Sequence, residues 1–230
     1  MTTKNLLLVG ASRGLGLAIA EQYLERGSHV IGTVRGGART KLHDLLERWN
    51  GQLEIETVDI AVLEQVMALR KRLEGRTLDV LFVNAGVTHD EGETTANIST
   101  EEFVRVMVTN ALSPLRVVEA FQDLVHANGT IAVMSSGQGS VSNNEGGGWE
   151  IYRASKAALN MLMRSFAGRH AADGQTLLLL APGWVRTDMG GPEARFSIEE
   201  TIPKLVETIE AQRGKRGLQY LDYRCQTVPW

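Results

Sequence analysis

The sequence lacks most of the features that mark a specialised class of protein. It has a single cysteine, Cys225, so a framework of intrachain disulfides is excluded. Its 24 basic and 27 acidic residues give a net charge of −3, which leaves no overall positive charge to hold nucleic acid or an acidic membrane. The five histidines are scattered, without the spacing of metal ligands. We therefore expect no metal site, no nucleic-acid partner and no membrane partner.

Long apolar runs are also missing. The longest, Leu6–Val9 and Leu177–Pro182, are far shorter than the stretch of about 18 residues that a membrane span needs. The apolar segment near Met1 is too short for a signal peptide. The remaining composition, with 43% hydrophobic and 22% charged residues, is ordinary for a globular protein. For a chain of 230 residues we expect one domain, covering positions 1–230, in the cytoplasm.

Short apolar runs alternate with amphipathic stretches along the whole chain. The apolar runs predict six buried strands, at Leu6–Val9, His29–Val34, Leu53–Val58, Val80–Val83, Thr130–Met134 and Leu177–Ala181. The amphipathic stretches predict six helices, at Gly14–Glu25, Thr40–Trp49, Val62–Leu73, Thr100–Val125, Tyr152–His170 and Ile198–Gln212. A capping-box pattern of Ser197 and Glu200 opens the last helix. Parallel strands need crossovers of this length, so we predict an α/β fold with helices on both faces of a parallel sheet.

A glycine-rich turn follows the first strand and opens the first helix. Gly10, Gly14 and Gly16 would let the backbone approach a pyrophosphate, and the helix amino end adds free N–H donors. The spacing differs from the commoner G-x-G-x-x-G fingerprint. No Lys-Ser or Lys-Thr pair follows, which argues against hydrolysis of a nucleoside triphosphate. The alternative is a glycine turn with a purely structural use.

Polar residues stand where four later strands end. They are Asp59, Asn84-Ala85-Gly86, Ser135-Ser136 and Pro182-Gly183. Taken alone, Asp59 could be a helix cap, Asn84-Ala85-Gly86 a turn and Ser135-Ser136 the start of a loop. Because an open α/β sheet binds its ligand at the carboxyl ends of its strands, their common position indicates a site. The glycine-rich stretch Ser135–Glu150 is either a surface loop or a wall of that site.

Tyr152 and Lys156 are four residues apart, which puts them on one face of a helix. An ammonium beside a phenol favours the phenolate, so we expect the pKa of Tyr152 to fall below its ordinary value of about 10. Such a phenol donates and accepts a proton near neutrality. The alternative is a chance pair on a solvated helix.

Taken together, these motifs closely resemble those of the short-chain dehydrogenase/reductase family over nearly the whole chain. The matching motifs, in order, are the glycine turn Gly10–Gly16, Asp59, Asn84-Ala85-Gly86, Asn110, Ser136, Tyr152, Lys156 and Pro182-Gly183. Pro182–Gly191 and Tyr220–Trp230 are similar to the small carbonyl-reductase branch that includes the proteins called sniffer and C-factor. The resemblance implies a Rossmann-type doubly wound parallel sheet of about seven strands, in three α/β/α layers.

The chain departs from the family pattern at three places. Val9 stands where a threonine usually opens the glycine motif, and Val83 stands where an asparagine usually precedes Asn84. Both changes concern contacts between strands more than chemistry. Tyr152 follows Ser136 by 16 residues, a longer interval than is usual in the family. The longer loop leaves the choice between Ser135 and Ser136 less certain, and we take Ser136 because the second serine usually carries the role.

The resemblance implies four catalytic residues. Tyr152 would give a proton to the substrate carbonyl oxygen, or remove it from an alcohol. Ser136 would hydrogen-bond the same oxygen. Lys156 would lower the pKa of Tyr152 and bind the nicotinamide ribose. Asn110 would bind a water that relays protons. The alternative is a buried polar residue that bends its helix, and the two roles are compatible.

The cofactor site implied by the resemblance covers the ends of the central strands. Asp59 and Ile60 would hold the adenine, Ala85 and Gly86 would flank a ribose, and Val185 and Thr187 would contact the nicotinamide carboxamide. The full set is Gly10, Ser12, Arg13, Gly14, Leu15, Gly16, Arg35, Asp59, Ile60, Asn84, Ala85, Gly86, Tyr152, Lys156, Pro182, Gly183, Val185 and Thr187.

The choice of cofactor follows from charge. An NAD-preferring site places an acidic residue after the second strand, to accept hydrogen bonds from the adenosine ribose. Val34 occupies that position, and Arg35 follows it. Arg13 and Arg35 would converge on the 2′-phosphate of NADP(H). The alternative is a pair of solvated surface arginines.

These features predict an NADPH-dependent oxidoreductase that reduces a small-molecule carbonyl to an alcohol. Four side chains near the expected pocket suggest an apolar aldehyde, ketone or quinone: Trp149, Trp184, Met189 and Phe196. The alternative is an NAD(P)-binding signalling or regulatory protein of the C-factor type, with little turnover. The family often pairs through the helices starting near Thr100 and Tyr152, which would give a homodimer or homotetramer. The alternative is a monomer, as for some members of this branch.

Overall fold

The computed structural model of the protein describes residues 4–230, in which seven parallel strands form one sheet between two layers of helices. The strands are β1 Asn5–Val9, β2 His29–Val34, β3 Leu53–Thr57, β4 Leu78–Val83, β5 Val125–Met134, β6 Thr176–Ala181 and β7 Gly217–Asp222. The helices are α1 Gly14–Glu25, α2 Leu63–Arg72, α3 Thr100–Met107, α4 Ser113–Phe121, α5 Glu150–Arg169 and α6 Ile198–Gln212. The predicted doubly wound α/β fold is confirmed.

The strand order β3-β2-β1-β4-β5-β6-β7 places the reversal of the winding between β1 and β4. Val9 pairs with Val83 at the carboxyl ends of these two strands. Helices that follow the two strands lie on opposite faces of the sheet, so their connections separate and leave a cleft. The glycine turn after β1 and the Asn84 loop after β4 therefore meet at the edge where a ligand binds.

Alternate side chains of each strand enter two separate cores. Leu7 and Val9 pack with α2, α4 and α5, whereas Leu6 and Leu8 pack with α1 and α6. Every residue of β6 is buried. The apolar runs are therefore continuous rather than alternating, as expected for parallel strands covered on both faces.

The predicted helix Thr40–Trp49 is wrong. The structure has only a short 3₁₀ helix, Lys41–Leu45, followed by turns. The Thr40 main-chain N–H donates to Nδ1 of His43 at 3.1 Å, which closes a tight turn in place of a regular first helical turn. Only Leu42 in this segment is fully buried, so few apolar contacts favour a longer helix.

The predicted single helix Thr100–Val125 is divided into α3 and α4 by a π-helical turn at Val108–Leu112. Pro114 has no N–H group to continue the ladder of hydrogen bonds, and the wider turn lies directly before it. Asn110 lies inside the wider turn and is buried there, as its structural alternative required. The predicted capping box at Ser197 and Glu200 is confirmed.

No helix within residues 4–230 is long and apolar enough to cross a membrane.

The β1 and β4 ends approach so closely that Gly10 has no room for a side chain. A Cβ at Gly10 would lie 2.9 Å from the backbone of Ala85, and its φ of +92° is in the region that favours glycine. Its N–H donates to the Thr33 hydroxyl at 3.0 Å. The turn is therefore packed between β2 and β4.

We expect Gly10→Ala to lower the free energy of unfolding by about 1–3 kcal/mol more than the matched variant Gly27→Ala. Gly27 has a similar positive φ of +78°, but a Cβ there meets nothing within 4 Å. The difference between the two variants in urea unfolding isolates the clash with Ala85. Equal losses would contradict the close approach of the two strand ends.

Candidate active site

The glycine turn is held in place from two neighbouring strands. Thr33 in β2 accepts from the N–H of Gly10 and offers its carbonyl to the N–H of Ala11 at 2.8 Å. Asn84 after β4 donates its side-chain amide to the carbonyl of Gly10 at 2.8 Å. The predicted site residue Asn84 thus supports the turn, and Thr33 supplies a hydroxyl close to Val9, where the family usually has its threonine.

Helix α1 begins at Gly14 with a positive φ of +55°, and no acidic side chain lies in its first turn. A Cβ at Gly16 would lie 2.0 Å from the carbonyl of Gly10, so this position also excludes any side chain. Ser12 and Leu15 are half-buried beside the turn. The free N–H groups of the helix amino end therefore lie at a turn that has no side chains at Gly10, Gly14 and Gly16, which suits a phosphate.

The loop after β6 closes the site from the opposite side. Gly183 has a φ of +85°, and beyond it Val185 pairs with Phe196 so that the chain doubles back. Thr187 accepts from the N–H of Gly190 at 3.1 Å, and its methyl group is 3.7 Å from the position of a Cβ on Gly14. Predicted residues of the first and last motifs therefore face each other across the cleft.

The two arginines predicted to read the 2′-phosphate are both exposed. Arg13 Nη1 lies 2.7 Å from Asp188 Oδ2 in an ion pair whose partners are exposed by 72% and 75%. Such a solvated pair contributes little stability, and a phosphate can replace the carboxylate. Arg35 follows β2 immediately, as the sequence predicted.

Asp59 and Ile60, predicted to hold the adenine, form the turn after β3. The Asp59 carboxylate accepts from the N–H of Ala61 at 2.9 Å, and its own N–H donates to Gln65. Ile60 is 5% exposed and belongs to the core on the α2 side. Asp59 acts here as a turn residue and not as the helix cap that the sequence also allowed, because the N-cap of α2 is Val62.

Tyr152 lies in the first turn of α5, three residues after Trp149, whose φ of +52° is unusual for a residue with a side chain. Burial raises the pKa of Tyr152, and the neighbouring Ser136 hydroxyl opposes that rise. The predicted lowering of this pKa is therefore wrong for the protein without cofactor. Lys156 Nζ lies 5.8 Å from the centroid of the phenol ring, and the loss of water around the hydroxyl dominates.

Lys156 is buried at 3% exposure on the same face of α5. Its Nζ donates to the main-chain carbonyl of Met134 at 3.0 Å. Burial lowers the pKa of Lys156 to about 8. A Cβ on Gly86 would lie 3.6 Å from Nζ, so the glycine of the Asn84 motif passes close to this ammonium.

The two serines after β5 have separate surroundings. Ser135 is 2% exposed, and its hydroxyl donates to Oδ1 of Asn160 at 2.6 Å. Ser136 is half-buried, and its hydroxyl neighbours Tyr152. This geometry favours Ser136 as the serine of the site, because the side chain of Ser135 is already used to fix α5.

Asn110 ties three parts of the site together. It is 0% exposed, and its side chain both donates to the carbonyl and accepts from the N–H of Val87, each at 2.8 Å. A second donor bond reaches Oγ of Ser155 at 3.0 Å. The loop after β4 is thereby bonded to α5 next to Lys156. The predicted water relay at Asn110 stays a prediction.

These observations fit a dinucleotide. The turn at Gly10–Gly16 admits a pyrophosphate, Lys156 presents a buried donor suited to hydroxyl groups, and Tyr152 and Ser136 place two hydroxyls at the far end of the same cleft. A proton donor beside a second hydroxyl suits a substrate oxygen that gains charge.

A family model described as short chain dehydrogenase matches residues 4–196, and the chain belongs to the short-chain dehydrogenase/reductase family. A member of that family from Burkholderia multivorans, solved with bound NADP, is 55% identical with a TM-score of 0.98, and both chains are fully covered. The carbonyl reductase Sniffer of D. melanogaster is 28% identical with a TM-score of 0.90, again with both chains fully covered. The C-signal protein of Myxococcus xanthus is 36% identical over 157 residues, which are 66% of this chain and 93% of that protein.

The comparisons confirm the family and the branch predicted from the sequence. The predicted cofactor, NADP(H), agrees with the NADP bound in the Burkholderia relative. Four supporting residues escaped the sequence reasoning: Thr33, Ser155, Asn160 and Tyr220. Thr33 carried a usable signal, because a hydroxyl is out of place in the apolar run of β2.

We expect Lys156→Met to stabilise the cofactor-free protein at pH 7. Folding there buries a charge that the unfolded chain carries freely, because burial lowers the pKa of Lys156 from 10.5 to about 8. The substitution removes the cost of burying the charge, which is larger than the contribution of the hydrogen bond that the Met134 carbonyl loses. The free energy of unfolding should therefore rise by about 1–3 kcal/mol.

The advantage should shrink as the pH rises from about 8 towards 10, where folded wild-type protein has lost this proton and the unfolded chain still holds it. Urea unfolding at pH 7 and 9.5 measures the effect. Lys71→Met, at an exposed position of α2, should change little. Lower stability of Lys156→Met at both pH values would contradict the dominance of burial.

Proposed function

We propose that the protein is an NADPH-dependent oxidoreductase that reduces a small-molecule carbonyl to an alcohol. The observation that carries the proposal is the half-buried phenol of Tyr152, which neighbours the Ser136 hydroxyl and the buried Lys156. A protein that only binds a dinucleotide has no need of a phenol and a second hydroxyl at the nicotinamide end of the cleft. The carbonyl reductase Sniffer has the same fold.

The cofactor, when bound, supplies the hydride. Burial keeps the Tyr152 phenol protonated at neutral pH, so it is ready to donate its proton to the substrate oxygen as negative charge develops there. The Ser136 hydroxyl donates a hydrogen bond to the same oxygen. Lys156 holds ribose hydroxyls and, when charged beside the ring, stabilises the phenolate left after proton transfer.

Arg13 and Arg35 would bind the 2′-phosphate. Both are exposed at the adenosine end of the cleft, and the buried Val34 occupies the position of the acidic residue that an NAD site uses. The NADP bound to the Burkholderia relative supports the same choice.

The second candidate function is a cofactor-binding signalling or regulatory protein with little turnover. The likeness to the C-signal protein favours it. Tyr152 lies beside Ser136 and Lys156, and Asn110 is bonded to Ser155 next to Lys156, which favours the enzyme. A panel of aldehydes, ketones and quinones with NADPH separates the two, because a binding protein would hold NADPH and consume none of it.

The proposal includes the substrate class, the cell compartment and the assembly. Trp184 and Met189 expose apolar surface on the loop after β6, which suits an apolar carbonyl compound. One sheet joins strands from both halves of the chain, which supports a single domain. The compartment that we propose is the cytoplasm. The outer faces of α3 and α5 expose Val104 and Met161, which would pack in a homodimer or homotetramer.

We expect Tyr152→Phe to abolish carbonyl reduction and to leave NADPH affinity nearly intact. The ring still packs at the start of α5, but the proton donor is gone. The loss should be at least about a hundredfold in kcat, the range of general acid catalysis. Initial rates of NADPH oxidation and fluorescence titration with NADPH measure the two effects.

The matched control is Tyr23→Phe, which removes a buried phenolic hydroxyl in α1, in the core on the other face of the sheet. It should keep wild-type turnover. Near-wild-type turnover in Tyr152→Phe would show that the proton comes from another group.

We expect a clear preference for NADPH over NADH in kcat/KM. Arg35→Ala and Arg13→Ala should each reduce that preference by about tenfold or more, since a charged hydrogen bond contributes about 1.5–3 kcal/mol. Arg39→Ala is the control, because this exposed arginine is paired with Asp44 instead. Equal efficiency with both cofactors in the wild type would refute the assignment of the two arginines.

A further inference from the structure

The loop that begins at Ser136 is rich in glycine. Five of its residues are glycines: Gly137, Gly139, Gly146, Gly147 and Gly148. Glycine loses more backbone freedom on ordering than any other residue. A hydroxyl that bonds a developing charge must nevertheless be held to within about half an ångström. Within the loop, the Ser136 carbonyl accepts from the N–H of Gly139 at 2.9 Å and its hydroxyl accepts from the N–H of Gln138 at 3.2 Å. Contacts from outside the loop add to this short 3₁₀ turn.

Tyr220 in the edge strand β7 supplies one such contact. Its phenolic hydroxyl donates a hydrogen bond to the main-chain carbonyl of Ser136 itself. The side chain is 2% exposed and packs in the core on the α5 face, so the hydroxyl has a fixed position. Burial raises the pKa of Tyr220, which keeps the phenol protonated and able to donate.

Asn160 in α5 holds the residues on both sides of Ser136. Its side chain accepts from the Ser135 hydroxyl at 2.6 Å and donates to the carbonyl of Gly139 at 3.2 Å. A Cβ on Gly139 would lie 3.0 Å from the backbone of Lys156. The first turn of the loop is therefore pressed against α5, at the helix that carries the phenol and the ammonium of the site.

The segment after β7 contacts the next part of the loop. The Trp230 carbonyl accepts from the N–H of Ser142 at 3.0 Å and from its hydroxyl at 2.6 Å. The indole ring lies 5.4 Å from the ring of Tyr220, with the guanidinium of Arg164 over it at 4.9 Å. Val228 donates back to the carbonyl of Tyr220 at 2.9 Å. Residues 220–230 thus reach the loop at two separate points.

We propose that Tyr220 is a positioning residue for Ser136, and that the Trp230 carbonyl fixes the next part of the loop by accepting hydrogen bonds from Ser142. The proposal rests on the proposed function in one respect, the assignment of Ser136 to the substrate oxygen. The bonds divide the loop into two parts. The part next to Ser136 is tied to β7 and α5, whereas residues 143–148 are exposed to solvent.

Tyr220→Phe tests the proposal because it removes one hydroxyl and keeps the ring. We expect kcat for carbonyl reduction to fall by about tenfold or more, the effect of displacing a group that stabilises the transition state. The dissociation constant of NADPH should stay within about twofold of the wild-type value, since the glycine turn is untouched. Hydrogen–deuterium exchange of the amides at 136–142 should become faster.

Ser142→Ala is the second variant, and it leaves the core untouched, so it stays folded even where Tyr220→Phe does not. It removes the 2.6 Å bond to the Trp230 carbonyl. We expect faster exchange confined to residues 140–143 and a loss of kcat smaller than that of Tyr220→Phe. Tyr23→Phe, the buried control in α1, should change neither exchange in the loop nor kcat.

Two results overturn the proposal. One is unchanged exchange at 136–142 together with a kcat within about twofold of wild type in Tyr220→Phe and Ser142→Ala. The other is a loss of kcat in Tyr23→Phe equal to that in Tyr220→Phe, because general destabilisation then accounts for both. Exchange is measured without substrate, so it decides whether Tyr220 holds the loop even if the wild-type protein reduces no carbonyl and the proposed function fails.

Discussion

The burial of one ammonium group is the constraint on which the site depends. Lys156 has its charge in the protein interior, bonded to the carbonyl of Met134. Gly86 and Gly139 approach it where side chains would not fit or would cover it. One hydrogen bond to a carbonyl only partly offsets the cost of removing this charge from water. The pKa of Lys156 therefore falls to about 8. The fold thus gives up stability to keep a strong donor where a ribose would lie.

Several polar residues that the motifs single out act on the backbone. Asn84 and Asn110 direct their amide groups to the main chain of Gly10 and Val87. Each bond joins segments that are distant in sequence, and each lies behind the surface that would face the dinucleotide. A motif residue of this kind positions the groups that touch a ligand. Its loss would therefore change binding indirectly, by displacing those groups.

Much of the fold could be predicted from the sequence, because buried parallel strands leave continuous apolar runs. The runs at Leu6–Val9 and Leu177–Ala181 match β1 and β6 to within one residue. Strand β7 was missing from the six predicted strands. It is an edge strand with exposed and half-buried positions, so its sequence mixes polar and apolar residues and forms no continuous apolar run. The predicted helix Thr40–Trp49 failed because its pattern was amphipathic but only one side chain found a place in the core.

The chemistry could be predicted less well than the location of the site. Spacing alone correctly put Tyr152 and Lys156 on one face of α5, but it led to the wrong direction for the pKa of Tyr152. The pKa shift of Tyr152 depends on how much water the fold removes from the phenol and on the position of the ammonium group. The four-residue spacing in the sequence predicts neither of these. The role of Tyr220 was equally hidden, because a bond to a backbone carbonyl leaves no pattern in side chains.

The strand order also determines when the site can form during synthesis. The turn at Gly10 leaves the ribosome early, whereas β7, with Tyr220, emerges more than two hundred residues later. Domains form as their chains are completed, and pairings between distant strands come late. A chain that lacks β7 also lacks the phenol that bonds the Ser136 carbonyl. The contact that positions Ser136 therefore becomes available only when the edge strand is added to the sheet.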